Sequence, residues 1–214
     1  MHIVLLNTVK WLPMNNKRHK NKEEFRREIL QAAQKIFSSD GYGNFSMRKL
    51  ARCIGYSPTT IYLYFRDKDE LLFCLSEEFF TEMDQALQRL SKESANPLEI
   101  LRRALHMYVE YCLANPEHFR VAFFTSPVVY GTPQEYLERD TMSRRAYFRY
   151  RNLVAACSSA GELRQIAPDL MAQVLWTGIH GIVAATIFTQ DFPMAEHGLL
   201  AETMIEGLLN GFRK

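Results

Sequence analysis

Residues 57–65, SPTTIYLYF, concentrate hydroxyl groups and aromatic rings on one short helical segment. Threonine hydroxyls can hydrogen-bond to base edges or phosphate oxygens, and apolar atoms can contact the methyl group of thymine. Tyrosine hydroxyls are suited to phosphate oxygens. At 100° per residue, Ile61 and Phe65 share one face of this helix, and the threonines, Tyr62 and Leu63 spread across the other. The pattern predicts an outward surface that could contact a groove of DNA.

Two short helices form the predicted unit. Ser46 caps the first helix and Ser57 caps the second, where Pro58 occupies the first helical position. The two helices and the GYS segment between them have the dimensions of a helix–turn–helix. Candidate DNA-contacting residues lie on the second helix, at the amino ends of both helices, and at the basic residue that follows. They are Ser46, Arg48, Ser57, Thr59, Thr60, Tyr62, Leu63, Tyr64 and Lys68.

The same aromatic residues have a second interpretation. Tyr62, Leu63 and Tyr64 could pack beneath the following helix, since aromatic side chains at helical spacing usually belong to a core. The charge distribution favours the DNA-contacting interpretation. Residues 15–68 carry 12 Lys and Arg against 5 Asp and Glu, whereas residues 69–214 carry 13 against 19. A basic segment joined to an acidic remainder is typical of a polyanion-binding head, although a solubilising mixture of charges would also fit.

The rest of the chain predicts helices and no sheet. Asp67 and Glu70 resemble a capping box at the start of a long fourth helix. No stretch of about 20 apolar residues is free of polar interruption, which argues against a membrane span. The predicted fold is all-α, with about nine helices. Beyond the first four, the predicted segments are 98–114, 116–124, 134–159, 168–190 and 195–212.

Residues with metal-binding or catalytic potential are not grouped in the sequence. Cys53, Cys74, Cys112 and Cys157 are widely spaced, with no CxxC motif and no histidine at metal-ligand spacing. We interpret them as buried thiols in a reducing cytosol, with a redox-sensing role for one of them left open. The sequence contains no H-E-x-x-H, G-x-S-x-G or phosphate-binding loop. We therefore expect no metal, no cofactor and no enzymatic activity.

Three domains are expected. Residues 1–21 form a basic leader, and its apolar run at 3–6 is too short for a signal peptide. Met14 is the predicted natural start of the protein. Residues 22–68 form the helix–turn–helix domain, and residues 69–214 form a C-terminal helical bundle.

The segment FSMRKLARCIGYSPTTIYLYFRDKDELL resembles the DNA-binding domain of TetR/AcrR-type transcriptional regulators. The resemblance covers about residues 25–72, and two positions, Pro58 and Leu63, depart from the family pattern. It implies that Thr59, Thr60, Tyr62 and Tyr64 lie in or beside the major groove, and that Lys68 contacts a phosphate. The matching positions are Ser46, Leu50, Ala51, Gly55, Ser57, Thr60, Tyr62, Phe65, Lys68 and Leu71.

The resemblance also implies that the C-terminal helices bind a small inducer and form a dimer. The segment VLWTGIHGIVAATIF resembles a C-terminal subtype with a Trp-His-Gly signature, interrupted here by TGI. Aromatic and methionine residues on these helices could line a ligand cavity, or simply form the core. The candidate ligand-binding residues are Met107, Tyr111, Phe123, Phe124, Tyr147, Tyr150, Trp176 and His180. For His180, a satisfied core histidine is the alternative.

The last two predicted helices are candidates for the dimer interface. Gly178, Gly181, Ala184 and Ala185 form a strip of small residues on the first of them. Two such helices from each of two chains would make a four-helix interface, unless both pack within one chain.

The expected function is that of a cytoplasmic transcriptional repressor without a membrane partner. It would bind a palindromic double-stranded DNA operator as a homodimer and be released by a small apolar or aromatic effector. Two alternatives remain at this stage. One is a helical small-molecule carrier or enzyme, and the other is a DNA-binding protein that acts constitutively without an inducer.

Overall fold

The computed structural model describes residues 21–41, 43–124, 131–189 and 191–214. These ranges contain ten α-helices and no β-strand, which confirms the predicted all-α class. An isolated bridge pairs Leu163 with Arg213. The predicted start at Met14 and the leader, except for its last residue, lie outside the described ranges. The helices are α1 (Lys22–Asp40), α2 (Met47–Cys53), α3 (Pro58–Tyr62), α4 (Lys68–Leu90), α5 (Pro97–Ala114), α6 (Pro116–Phe124), α7 (Pro133–Glu138), α8 (Met142–Ser159), α9 (Pro168–Phe188) and α10 (His197–Phe212).

The caps of α2 and α3 are those that the sequence predicts. The Ser46 hydroxyl accepts from the Lys49 amide at 3.2 Å, and the Ser57 hydroxyl accepts from the Thr60 amide at 3.1 Å. Between the two helices, Gly55 has a φ of 69°, a left-handed conformation that glycine adopts without steric cost. The caps and this glycine set the tight turn of the helix–turn–helix.

The start of α4 forms only half of the predicted capping box. The Asp67 carboxylate accepts from the Glu70 amide at 2.8 Å, as expected. The Glu70 carboxylate reaches one residue further back and accepts from the Arg66 amide at 2.6 Å. The cap therefore also fixes the backbone of Arg66, the residue before Asp67.

Two hydrophobic cores share α4. Leu71, Leu72 and Leu75 from its first half pack with α1, α2 and α3. Further along the same helix, Phe79 and Met83 pack into the core of the C-terminal bundle. Because one uninterrupted helix contributes to both cores, no flexible linker separates the head from the bundle. Within the bundle, α5 packs against α4, α8, α9 and α10.

The predicted helix at 134–159 is two helices, α7 and α8, which raises the count from about nine to ten. Arg139 follows α7 in an extended conformation, with ψ of 136°. Thr141 then caps α8 by accepting from the Arg144 amide at 3.3 Å. No glycine or proline marks this break, so the sequence offered no breaker signal.

A side chain from α4 completes the start of α8. The Glu77 carboxylate accepts hydrogen bonds from the Met142 amide at 2.6 Å and the Ser143 amide at 3.3 Å. The first amides of a helix have no partner within the helix, and a negative charge there also favours the helix dipole. The boundary between α7 and α8 therefore depends on a tertiary contact.

By length and composition alone, α9 is the one helix in the described ranges that could cross a membrane. The sequence analysis expected no membrane-spanning segment, because polar residues interrupt every apolar stretch. The polar residues in α9 are too few to keep it below the length and hydropathy required of such a segment. Core helices of globular proteins meet these requirements too, and α9 packs against α5, α8 and α10. Its inner side, which includes Leu175, Ile179 and Val183, belongs to the core of the bundle, while its outer side is exposed.

The cysteines differ in exposure. Cys112 and Cys157 are buried, whereas Cys74 is half-buried and Cys53 is exposed. The prediction of buried thiols is therefore wrong for Cys53, which lies at the end of α2. Burial raises the pKa of Cys112 and raises that of Cys157 to about 12, so both thiols stay protonated near neutral pH.

Replacing Glu77 with alanine should lower the free energy of unfolding by about 1–2 kcal/mol, because two amides at the start of α8 lose their acceptor. Urea denaturation at fixed protein concentration measures this change. Glu78→Ala is the matched control, since Glu78 is the exposed neighbour on the same helix. Equal effects of the two substitutions would show that the contact between α4 and α8 does not stabilise the fold.

Candidate functional site

The helix α3 presents the two faces that its sequence predicts. Ile61 is fully buried and Phe65, just beyond α3, is 1% exposed, and both pack in the core of the head. On the opposite side, Thr59 is exposed, Tyr62 is 51% exposed and Leu63 is 76% exposed. A leucine exposed to this extent contributes little to folding, so α3 presents an apolar and hydroxylated ridge to the surroundings.

Two other predicted contact residues are less accessible than this ridge. Thr60 is half-buried, and its hydroxyl lies 2.9 Å from the Ser57 hydroxyl. Tyr64 is also half-buried, with its ring edge-on to that of Phe25 at 5.0 Å between centroids. The alternative that these aromatic residues pack beneath the following helix therefore holds in part for Tyr64, which is half-buried, but not for Tyr62, which is exposed.

Basic side chains surround the ridge. Arg48 and Arg52 are exposed on α2, and Lys68 is the first residue of α4. Ser46 is exposed at the amino end of α2. The Asp67 carboxylate nearby has a pKa below its usual range, because it accepts from the Glu70 amide and pairs with an arginine. This carboxylate is therefore occupied as a helix cap.

Arg26 of α1 holds the back of α3 and the start of α4 together. Its guanidinium lies over the Phe65 ring, 4.9 Å from the centroid. It also donates to the Cys74 sulfur at 3.0 Å. The position of the ridge is thus set jointly by α1, α3 and α4.

A cavity of about 560 Å³ in the C-terminal bundle is lined by α4 to α9 and is partly open to solvent. This is within the usual size range of small-molecule sites. Its wall is largely aromatic and aliphatic. The lining residues are Phe80, Met83, Leu87, Ala104, Leu105, Met107, Tyr108, Ala122, Phe123, Pro133, Tyr136, Leu137, Ser143, Ala146, Tyr147, Tyr150, Gln173, Trp176 and Ile179.

Five of the eight predicted ligand-binding residues line this cavity, namely Met107, Phe123, Tyr147, Tyr150 and Trp176.

The other three predicted residues lie outside the lining. The Tyr111 hydroxyl donates to the Glu82 carboxylate at 2.9 Å, on the outer side of the bundle. Phe124 is 53% exposed, with its ring 4.6 Å from that of Phe188. His180 lies behind the wall. Each side chain takes its direction from its helix packing, which aromatic content alone does not reveal.

Sequence reasoning missed Phe80, Tyr108 and Tyr136. Tyr108 immediately follows Met107, and its burial on the inner face of α5 is consistent with the helical periodicity of that segment. Tyr136 lies on α7, which the sequence merged with α8. Phe80 lies on α4, a helix on which no ligand-binding residue was predicted.

A hydrogen-bond network closes one side of the cavity. The Trp176 indole N–H donates to the Tyr108 hydroxyl at 3.2 Å. The Tyr108 hydroxyl lies 2.7 Å from Nδ1 of His180. Because the indole can only donate, the phenol oxygen accepts from Trp176, and its second hydrogen bond joins it to His180.

Both titratable groups in this network are neutral. Burial raises the pKa of Tyr108 well above its usual value, and burial lowers the pKa of His180. Five aromatic rings lie around the histidine ring, among them that of Trp176 at 4.7 Å. His180 is thus the satisfied core histidine of the alternative interpretation, one contact removed from the cavity.

Two helices connect the cavity to the head. Phe80 of α4 lines the cavity, and Lys68 begins the same helix beside α3. On α6, Phe123 lines the cavity while Val121 is buried in the core of the head. His118 of α6 also hydrogen-bonds across to α1, 2.8 Å from the side-chain amide nitrogen of Gln34. The helices α4 and α6 therefore each contact both the cavity wall and the head.

The outer sides of α9 and α10 form a second exposed surface. The two helices pack on each other where Gly178 meets Leu208, since a Cβ on Gly178 would lie 2.6 Å from that side chain. Gly181 and Gly207 have open space instead, with no atom within 4 Å of a Cβ. Exposed apolar side chains on the same helices include Val174 and Met204. Within the strip of small residues, Gly178 therefore packs against α10 of the same chain, whereas Gly181 lies on an open surface.

No group of three or more His, Cys, Asp or Glu side chains within the described ranges could hold a metal ion. The chemistry that these ranges offer is that of a hydrogen-bonding and apolar surface and of an aromatic cavity.

Two family models match the chain. Residues 29–74 match the bacterial regulatory proteins of the tetR family, and residues 101–208 match the tetracyclin repressor-like C-terminal domain. The first range contains α2 and α3 with their ridge, and the second contains most of the cavity wall.

Solved structures share the fold at low sequence identity. A protein of unknown function from Rhodococcus sp. RHA1 is 21% identical with a TM-score of 0.74, over 94% of this chain and 100% of that chain. The TetR family regulator PfmR from Thermus thermophilus is 22% identical with a TM-score of 0.67, over 87% and 99%. A TetR family regulator from Marinobacter aquaeolei VT8 is 22% identical with a TM-score of 0.66, over 88% and 95%.

The C-terminal family model alone spans half of the chain, and the N-terminal model covers the helix–turn–helix. The resemblance seen in the sequence is confirmed. The chain belongs to the TetR family of bacterial transcription regulators, which bind DNA and are not enzymes.

Proposed function

We propose that this protein is a cytoplasmic repressor that binds a palindromic operator as a homodimer and leaves it when a small apolar or aromatic effector fills the cavity. Residues 22–68 would act as the DNA-binding head, and residues 69–214 would bind the effector and form the dimer. The observation that carries the proposal is the course of α4. This helix begins at Lys68 beside the exposed ridge and reaches the cavity wall with Phe80 and Met83.

The ridge on α3 supports the DNA-binding role. Thr59, Tyr62 and Leu63 are exposed there, whereas Ile61 and Phe65 are buried and anchor the helix. A short helix whose outer side carries hydroxyl and apolar groups can read base edges and thymine methyl groups in the major groove. The surrounding basic side chains would supply contacts to phosphate that do not depend on sequence.

The coupling would pass along α4 and α6. With 23 residues, α4 is roughly 35 Å long and behaves as a lever between the two cores. An effector would bind more tightly to one arrangement of α4 and α6 than to the other, and this difference in affinity shifts the equilibrium. Since two heads must match half-sites one turn of DNA apart, a change in α4 would weaken operator binding.

The dimer would form through the outer sides of α9 and α10. Glycines with open space beside them let two helices approach closely, and the exposed Val174 and Met204 would be covered. A two-fold interface of this kind places two identical heads on the same side of the dimer, as a palindromic site requires.

Substitutions on the ridge should separate sequence-specific from general binding. Thr59→Ala and Leu63→Ala should change the preferred operator sequence and cost about 1–3 kcal/mol on the best site. Lys68→Ala should weaken binding to all sequences and reduce the slope of log affinity against log salt by about 1. Mobility-shift titrations against the upstream region of the gene, and selection from random duplexes, measure both effects.

Lys92→Ala is the control for this experiment, because Lys92 is an exposed lysine just after the far end of α4, away from the head and outside the cavity lining. Thermal unfolding should show that all four variants remain folded. If the ridge variants bind DNA as the wild type does, α3 does not read the operator.

Gly181→Arg should produce a folded monomer with weaker operator binding. The side chain has open space within its own chain, so the protomer should keep its helix content, but the arginine would obstruct a closely packed partner. Sedimentation velocity at micromolar concentration measures the oligomeric state.

Ala156→Arg serves as the matched control, since it adds the same side chain to an exposed position on α8. A Gly181→Arg protein that sediments as the wild-type dimer would contradict the proposed interface.

A further inference from the structure

The residues before α1 carry a concentration of positive charge that the proposed function does not use. Residues 15–20, with the sequence NNKRHK, contain Lys17, Arg18 and Lys20 and no acidic residue. We call these six residues the basic arm. They immediately precede Asn21, the first residue that the structure describes, whose side chain caps α1. The position of the start of α1 therefore fixes the point from which the basic arm departs.

The start of α1 lies beside both ends of α3. The ring of Phe25, in the first turn of α1, lies 4.4 Å from the ring of Tyr56 and 5.0 Å from that of Tyr64, measured between centroids. Tyr56 comes directly before the capping residue of α3, and Tyr64 comes directly after Leu63, the most exposed side chain of the ridge. The basic arm therefore leaves the head next to the ridge.

The second half of α1 lies at the bundle instead. The side-chain amide nitrogen of Gln34 is 2.8 Å from the ring of His118 on α6. Because the helix runs from the ridge toward the bundle, the chain that precedes it starts on the side of the head that would face DNA.

The first turn of α1 does not itself supply the positive charge. Lys22 is exposed there, but Glu23 and Glu24 are exposed beside it. Acidic residues in a first turn suit the helix dipole, and they offset the attraction of the lysine for phosphate. Any strong attraction for DNA at this end of the head must therefore come from the basic arm.

The basic arm is long enough to reach phosphates beyond the groove segment that α3 would occupy. An extended chain covers roughly 3.4 Å per residue, so the four residues from Lys17 to Lys20 span roughly 14 Å. The major groove is about 12 Å wide. Lysine and arginine side chains along such a segment neutralise phosphates and release counterions without reading the bases.

We propose, on the basis of the proposed DNA-binding ridge, that the basic arm is a second DNA-contacting element. Lys17, Arg18 and Lys20 bind backbone phosphates on one flank of the half-site that α3 reads. These contacts are electrostatic and independent of sequence. The ridge determines which duplex is preferred, and the basic arm raises the affinity for every duplex.

The arm variant, Lys17→Gln, Arg18→Gln and Lys20→Gln in the full chain, tests this proposal. Fluorescence anisotropy between about 50 and 200 mM salt measures its binding to two labelled duplexes, the upstream region of the gene and a random sequence of equal length. Each lost phosphate contact lowers the slope of log affinity against log salt by about 0.9, so the slope should fall by nearly 3 for each bound protomer. Affinity in about 0.1 M salt should fall at least about tenfold on both duplexes, with their ratio unchanged.

The matched control removes the same charge elsewhere. Arg89→Gln, Lys92→Gln and Lys214→Gln lie at exposed positions outside the head, and together they should leave the slope unchanged. A second control keeps the charge of the arm, with its two lysines replaced by arginine and with Arg18→Lys. This protein should bind as the wild type does, because phosphate contacts of this kind depend on charge rather than on one side-chain shape.

A hydroxyl-radical footprint on the upstream region separates the arm from the ridge. The arm variant should lose protection on one flank of each half-site only, whereas Thr59→Ala should retain it. The proposal is overturned if the arm variant keeps the wild-type slope, or if the wild type binds neither duplex. Tighter binding by the arm variant would also overturn it, because the arm would then pair with acidic side chains of its own chain. If the slope falls as expected but the wild type prefers neither duplex, the arm contacts stand and the proposed operator-specific repression is wrong.

Discussion

The packing of a single helix into two hydrophobic cores is the constraint on which the rest of the structure depends. In α4, Leu71, Leu72 and Leu75 are buried with the head, and Phe79 and Met83 are buried with the bundle. A helix held at both ends cannot tilt without disturbing one core or the other. The orientation of α3, which precedes α4 by a short capped turn, is therefore tied to the packing of the bundle. The same helix therefore contacts both the cavity wall and the head that carries the exposed ridge.

Polar contacts set the register of α4 against its neighbours. Glu77 of α4 accepts from the amides at the start of α8. Two turns further along α4, Asp84 pairs with Arg149, which also lies on α8. Partly buried ion pairs of this kind depend on geometry, and breaking one partner leaves the other without compensation. On the other side, the contact between Gln34 and His118 joins α1 to α6. Sliding of α4 or α6 along its neighbours would break these specific hydrogen bonds.

The cavity shows how apolar packing and neutral polar groups can coexist in one interior. Tyr108 and Trp176 border the cavity and His180 lies behind them, and the three side chains hydrogen-bond to one another without a net charge. Buried polar groups are tolerated when each has a partner, and such networks also fix side-chain orientation. The network sets the shape of the wall next to Trp176.

Local patterns in the sequence determined the helices, the caps at Ser46 and Ser57, and the division of α3 into a buried and an exposed face, because these features depend on helical periodicity and on hydrogen bonds between near neighbours. They also located five lining residues of the cavity. Only the tertiary structure decided the break before α8, where Glu77 comes from a distant segment, and the positions of Tyr111, Phe124 and His180 outside the wall. It also decided how far Tyr64 is buried against Phe25. The reason is that side-chain direction and long-range contacts depend on how helices cross, and a one-dimensional pattern of residue types does not contain those crossings.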